Sequence, residues 1–244
     1  MSKINLIYNI PTKGVNESEK KEENRKSYRI FGSEFVKNNK VNITLLINGI
    51  ESELIEEYPL KEGNNTIQMI INNPLTNLQE MFKDVKSLAN IGELKYLNTS
   101  NVKDFSYMFN GCSSLSDIKG LENWNVSNGI NFEDMFNGCS SLSDIKALQN
   151  WNVSNGINFR EMFGSCSLLS DIKALQNWNV SNGNNFHAMF FDCSFLSDIK
   201  ALQNWNVSKG KDFQFMFMGC SSSLDIGPIK NWNVPNKKYL ENIK

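Results

Sequence analysis

Residues 105–128 read FSYMFNGCSSLSDIKGLENWNVSN, and nearly the same string returns at 132–155, 159–182 and 186–209. The step is 27 residues, and it puts every tryptophan (Trp124, Trp151, Trp178, Trp205, Trp232) and every cysteine (Cys112, Cys139, Cys166, Cys193, Cys220) on one grid. A Met-Phe pair keeps the step from Met81-Phe82 to Met216-Phe217. A fixed period of this size marks a solenoid, whose units bury their apolar faces only against neighbours.

Within one copy, Phe105, Met108, Phe109 and Cys112 fall at i, i+3, i+4 and i+7. That spacing predicts a short helix with one apolar stripe. Asp104, echoed by Asp212, stands where it would cap the first turn, and Gly111 with Ser113-Ser114 would end it. Leu115, Ile118 and Leu121 then point inward along an expected extended segment, and Trp124 and Val126 close the core. A helix this short is not stable alone, so stacking must hold it. Each tryptophan is expected to lie on the one before, with the cysteines as small apolar core residues. The grid degrades at both ends: Val85 and Leu97 take the cysteine and tryptophan places, Leu224 is displaced, and Pro235 replaces serine. Terminal units that cap an open core are atypical in this way.

The copies Met108–Leu115 and Trp124-Asn125-Val126-Ser127-Asn128 resemble the BspA-like leucine-rich repeats of bacterial surface proteins. The resemblance covers about residues 77–234. It implies an α/β leucine-rich-repeat solenoid of about six coils, with parallel strands on one face and short helices on the other. Adhesion or protein binding is the implied role. Residues 77–244 are assigned to that array and residues 1–76 to a small β-rich cap. In the cap, Lys3–Ile10, Ser27–Phe31, Val41–Leu46, Glu51–Ile55 and Thr66–Ile71 read as strands, and Asn48-Gly49 is a hairpin turn signal. A ubiquitin-like arrangement is one order these strands allow. The charged run Glu17–Lys26 reads as a mobile loop. Phe31-Gly32-Ser33-Glu34-Phe35-Val36 resembles a leader of protist proteins with such repeats, which implies a shared cap.

Composition narrows the function classes. A net charge of −1 gives no basic field for nucleic acid or anionic lipid. No run is long enough to span a bilayer, and the N-terminus lacks a secretory h-region. An odd cysteine count, one per coil, predicts reduced buried thiols and a cytoplasmic location, with the cell surface as the alternative. The repeated Asn-Val-Ser triplets are formal glycan acceptors, but their side chains are better read as bonding local backbone in a turn.

No phosphate loop, nucleophile elbow or zinc pair is visible, so neither an enzyme nor a cofactor is expected. The lone histidine, His187, is equivalent to Ser106, Glu133, Arg160 and Gln214 in other coils, a variable surface place. Partner-binding candidates are the positions that change between coils. On the helical side they are Glu133, Asp134, Arg160, Glu161, His187, Gln214 and Phe215; next to the helix end they are Phe191, Phe195 and Met218, where large apolar groups replace polar ones in the later coils. Asp144, Asp171 and Asp198 beside Lys146, Lys173 and Lys200 form paired charge ladders on the expected strand side, whose blander reading is mutual compensation. The expected role is a non-enzymatic protein scaffold whose partner is another protein. The alternatives are a surface adhesin and an accessory domain of an enzyme complex.

Overall fold

The computed structural model describes residues 2–10 and 26–244, so most of the charged run 17–26 lies outside the described residues. Strand β1 (Ser2–Ile10) alternates in and out, burying Ile4, Leu6, Tyr8 and Ile10. It pairs antiparallel with β6 (Gly63–Ile71) along its whole length, Ser2 opposite Ile71 and Ile10 opposite Gly63. Strands β3 (Ile43–Ile47) and β4 (Ile50–Glu53) form the expected hairpin. Its turn residues Asn48 and Gly49 have φ of 53° and 82°, the left-handed pair that a two-residue hairpin of this twist requires.

Two elements differ from expectation. The strand expected at Ser27–Phe31 shrinks to β2 (Tyr28–Arg29), paired with β5 (Glu57–Tyr58) in a separate ribbon. The Phe-Gly-x-Glu-Phe-Val stretch holds helix α1 (Ser33–Asn39), too short to declare itself by periodicity. Phe31 packs on Phe35 at 5.5 Å and on Phe82 of the first coil at 5.8 Å. The main sheet has the order β4-β3-β6-β1-β7, and β7 (Leu88–Asn90) comes from the first coil. The array therefore supplies the last strand of the N-terminal sheet, and one continuous core runs through both.

Beyond β7 the coils repeat. Short 3₁₀ turns recur at Lys119–Leu121, Lys146–Leu148, Lys173–Leu175 and Lys200–Leu202. The phenylalanines stack in two ladders, for example Phe132 on Phe159 at 5.5 Å and Phe136 on Phe163 at 5.7 Å, each nearly parallel. Trp124 stacks on Trp151, Trp151 on Trp178, and Trp205 on Trp232, at 6.3–6.4 Å. The predicted burial of the aromatic grid is met.

The predicted backbone is not. The Phe-x-x-Met-Phe segment is a run of tight turns rather than a helix. Met135 N donates to Phe132 O and Cys139 N to Phe136 O within the coil. The alternate amides, of Phe132, Asp134, Phe136 and Gly138, donate to carbonyls of the next coil at 2.8–2.9 Å. Two residues per coil take left-handed φ: Tyr107, Asp134, Glu161, Ala188 and Phe215 in one series, Gly111, Gly138, Ser165, Asp192 and Gly219 in the other. A right-handed helix cannot contain them. Isolated parallel bridges from Asn77 through Asp212 mark the start of this segment. The expected sides are thus exchanged. Ladder pairing lies under the Met-Phe segment, and helical character lies in the Leu-x-x-Ile-x-x-Leu segment, whose three-residue spacing is the period of a 3₁₀ turn.

Polar atoms inside the core are satisfied from one coil back. Trp151 Nε1 donates to Leu121 O and Trp178 Nε1 to Leu148 O, both at 3.0 Å. Cys139 Sγ–H donates to Phe109 O and Cys166 Sγ–H to Phe136 O, both at 3.2 Å. All five cysteines are free. Burial pushes Cys139 and Cys193 well above the ordinary thiol value and Cys166 up to about 12.

Candidate interaction surface

The strip outside the Met-Phe segment, the turn face, carries most of the candidate residues. Its middle coils form one polar network. Arg160 meets Glu161 at 2.5 Å and Glu133 at 3.6 Å. Tyr107 Oη donates to Glu133, and Asn158 Nδ2 donates to the other oxygen of that carboxylate. Asn137 Nδ2 bridges Asp134 at 2.8 Å and Glu161 at 3.0 Å. Asp134, 6% exposed, is the buried member. Desolvation, helped by the neighbouring Glu161, pushes its carboxyl up to about 6, against the Asn137 bond that favours the charged form. Burial, together with nearby Asp134 and Glu133, raises the Tyr107 hydroxyl to about 12. Glu133, Asp134, Arg160 and Glu161, proposed from variability alone, therefore do meet; Tyr107, Asn137 and Asn158 complete the cluster.

Toward the C-terminal coils the same strip turns apolar. His187 Nδ1 lies 3.4 Å from Asp212 Oδ1, and its ring meets Phe215 edge-on at 5.7 Å. Phe195 is 62% exposed, Met218 46% and Phe215 39%. Phe191 is half-buried, and Gln214 is exposed with its amide bonded to Asp212. Leu168, 45% exposed, holds the place of Phe195 one coil earlier and escaped the sequence reading. The signal was there: serine fills that place in the earlier coils, at Ser114 and Ser141.

The Asp-Lys ladders lie on another strip, at the 3₁₀ turns rather than on strands. Asp144, Asp171 and Asp198 each accept the backbone amide two residues on, of Lys146, Lys173 and Lys200, at 2.8 Å. The carboxylates hold turns. Only Asp171 and Lys173 approach as a side-chain pair among the described residues, at 3.8 Å and well exposed, a geometry worth little. The Asn-Val-Ser triplets also serve turns: Asn152 Oδ1 accepts from Ser154 N at 3.1 Å, and Asn155 Nδ2 reaches back to Ser127 O at 2.8 Å.

Among the described residues there is no group of three or more His, Cys, Asp or Glu placed to hold a metal, and no helix long and apolar enough to cross a membrane. The repeats match a family model described as Mycoplasma protein of unknown function, DUF285, over residues 76–174 and again over 143–243. The chain belongs to the DUF285 family. The two overlapping matches fall on the stacked coils, β7 included, and leave β1 to β6 outside. No curated protein and no solved structure matches the chain.

Proposed function

We propose that this DUF285 protein is a BspA-like leucine-rich-repeat solenoid acting as a non-enzymatic scaffold that binds another protein through its turn face. The observation that carries the reading is the exposure of four large apolar side chains in the later coils, Leu168, Phe195, Phe215 and Met218, at places that earlier coils fill mostly with polar residues. Apolar groups clustered at the surface favour a protein contact. Phe215 adds a second argument. At the place that holds Tyr107, Asp134, Glu161 and Ala188 in the earlier coils, it puts a phenylalanine ring at the surface, 39% exposed and edge-on to His187. The polar network of Glu133, Arg160 and Glu161 would supply the rim of such a contact. Five free thiols, four of them buried, support a reducing compartment, the cytoplasm.

The test is cross-linking and affinity capture from the source cell, with the native chain compared with Phe195→Ser/Met218→Ser. The expected result is an intact fold and loss of the captured protein. Unaltered capture rejects this surface. Glycans or disulfides on the native protein would move the reading to a surface adhesin.

A further inference from the structure

A second surface, separate from the turn face, lies just after the Asn-Ser turns. Lys103, Ile130, Ile157, Asn184 and Lys211 hold the same place in successive coils and are joined by backbone hydrogen bonds of 2.8–2.9 Å. Beside them run Asn128, Asn155, Asn182 and Lys209. Between the two rows is a groove of about 670 Å³. Its centre is apolar: Ile130 and Ile157 are each 40% exposed. Its ends are basic, with Lys103 at one and Lys209 and Lys211 at the other, and none of the lining residues is acidic. This stands out in a chain whose net charge is −1.

We propose that the groove binds an amphipathic helix of a partner protein, with an apolar stripe at its centre and carboxylates at its ends. Charge complementarity selects the acidic ends, and the two isoleucines select the stripe. Spacing selects the helix. The backbone hydrogen bonds along the row set successive coils about 4.8 Å apart, nearer to the repeat of a helix than to that of a strand. Side chains one helical turn apart lie about 5–6 Å from each other, whereas same-face residues of a strand lie about 6.6 Å apart. Four coil steps span about 19 Å, which is about three and a half helical turns or roughly 13 residues. Nucleic acid fits less well, because the floor offers isoleucine where bases would need an aromatic platform.

The inference stands without the turn-face reading, and its test keeps the two apart. A displayed library of helical peptides of about 16 residues is selected on the full chain. The enriched peptides are then measured against Ile130→Glu/Ile157→Glu, against Lys209→Glu/Lys211→Glu and against Phe195→Ser/Met218→Ser. All these side chains are at the surface, so matching melting curves should certify the folds. The expected peptides carry apolar residues at i, i+3 and i+4 with Asp or Glu at the ends. Their affinity should fall at least about tenfold on each groove variant, fall with added salt, and stay unchanged on the Phe195 variant. Peptides lacking acidic ends, binding indifferent to both groove variants, or dependence on Phe195 and Met218 instead would overturn the proposal. So would a single-stranded oligonucleotide that binds through the groove lysines where no peptide does.

Discussion

The N-terminal sheet and the coil array bury similar side chains but are held by different rules. In the sheet, β1 meets β6 across the whole N-terminal region in one register, Ser2 to Ile71 and Ile10 to Gly63, and a slip by one would turn Ile4, Leu6 and Tyr8 outward. In the array, each contact is local to the next coil and is made again at the coil after that. Phe132 bonds to Asn158, and Phe159 bonds to Asn185 in the same way. The sheet is specified by a unique pairing, the array by repetition of one pairing. A lesion in the first should abolish a unit; a lesion in the second should split a stack.

Trp178→Ala is the sharpest way to break that contrast. Trp178 is 3% exposed, stacks on Trp151 and bonds to Leu148 O. Its loss should cost roughly 3–5 kcal/mol. Amide exchange should rise in the coils around Trp178 while Leu45 and Ile67 of the sheet stay protected. A single cooperative loss across both regions, or an unchanged melting curve, would refute the stack model. Gly183→Ala should come next. A Cβ at Gly183 would sit 2.4 Å from Phe186 Cζ. The ring has neighbours on both sides, Phe159 at 5.5 Å and Phe213 at 5.1 Å. Overpacking of this kind costs about 1–3 kcal/mol. Thermal denaturation that matches the native chain would mean the ring ladder yields freely.

Burial in the array was legible because the period dictates it. Any residue at the Trp178 or Cys166 place must meet its own copy, whatever the backbone does. The backbone itself was not legible. Phe105, Met108, Phe109 and Cys112 fall on one side both in a helix and in a chain of i→i+3 turns, so the spacing cannot choose between them. The deciding signal was Gly111 with Gly138 and Gly219, at φ of 73°, 75° and 75°. It reads as a helix end only if the coil is taken alone. The groove escaped for the opposite reason. Its row runs Lys103, Ile130, Ile157, Asn184, Lys211, with no constant residue to mark it. Variability singled out Glu133 and Arg160, which the fold brings together, yet it could not distinguish a network from a scatter of surface side chains. The Asp-Lys ladders were constant because Asp144 and Asp171 cap turns, a local duty that sequence constancy alone does not separate from recognition.

A smaller effect separates the two regions by pH. Asp134 titrates near 6 in the folded array, above the ordinary carboxyl value. A raised folded value means that the protonated form is favoured by folding. The stabilisation is therefore complete below about pH 4 and is lost as pH rises through about 6. Asp134→Asn should flatten the change in array melting temperature between those values and leave the sheet untouched. A slope that persists in the variant would assign the pH response elsewhere.

The smallest stability effect is expected where the functional effect is largest. Phe195 and Met218, 62% and 46% exposed, lie outside the core, whose Phe190 and Phe217 in the same coils are already fully buried and stacked at 5.7 Å. Phe195→Ser/Met218→Ser should therefore shift stability by no more than about 0.5 kcal/mol. That figure separates a contact surface from an end cap. If these side chains instead seal the last coils, the double variant should melt early and show raised amide exchange from Phe213 onward, with the sheet unaffected. Equal stability together with lost partner binding identifies an exterior patch that folding does not require.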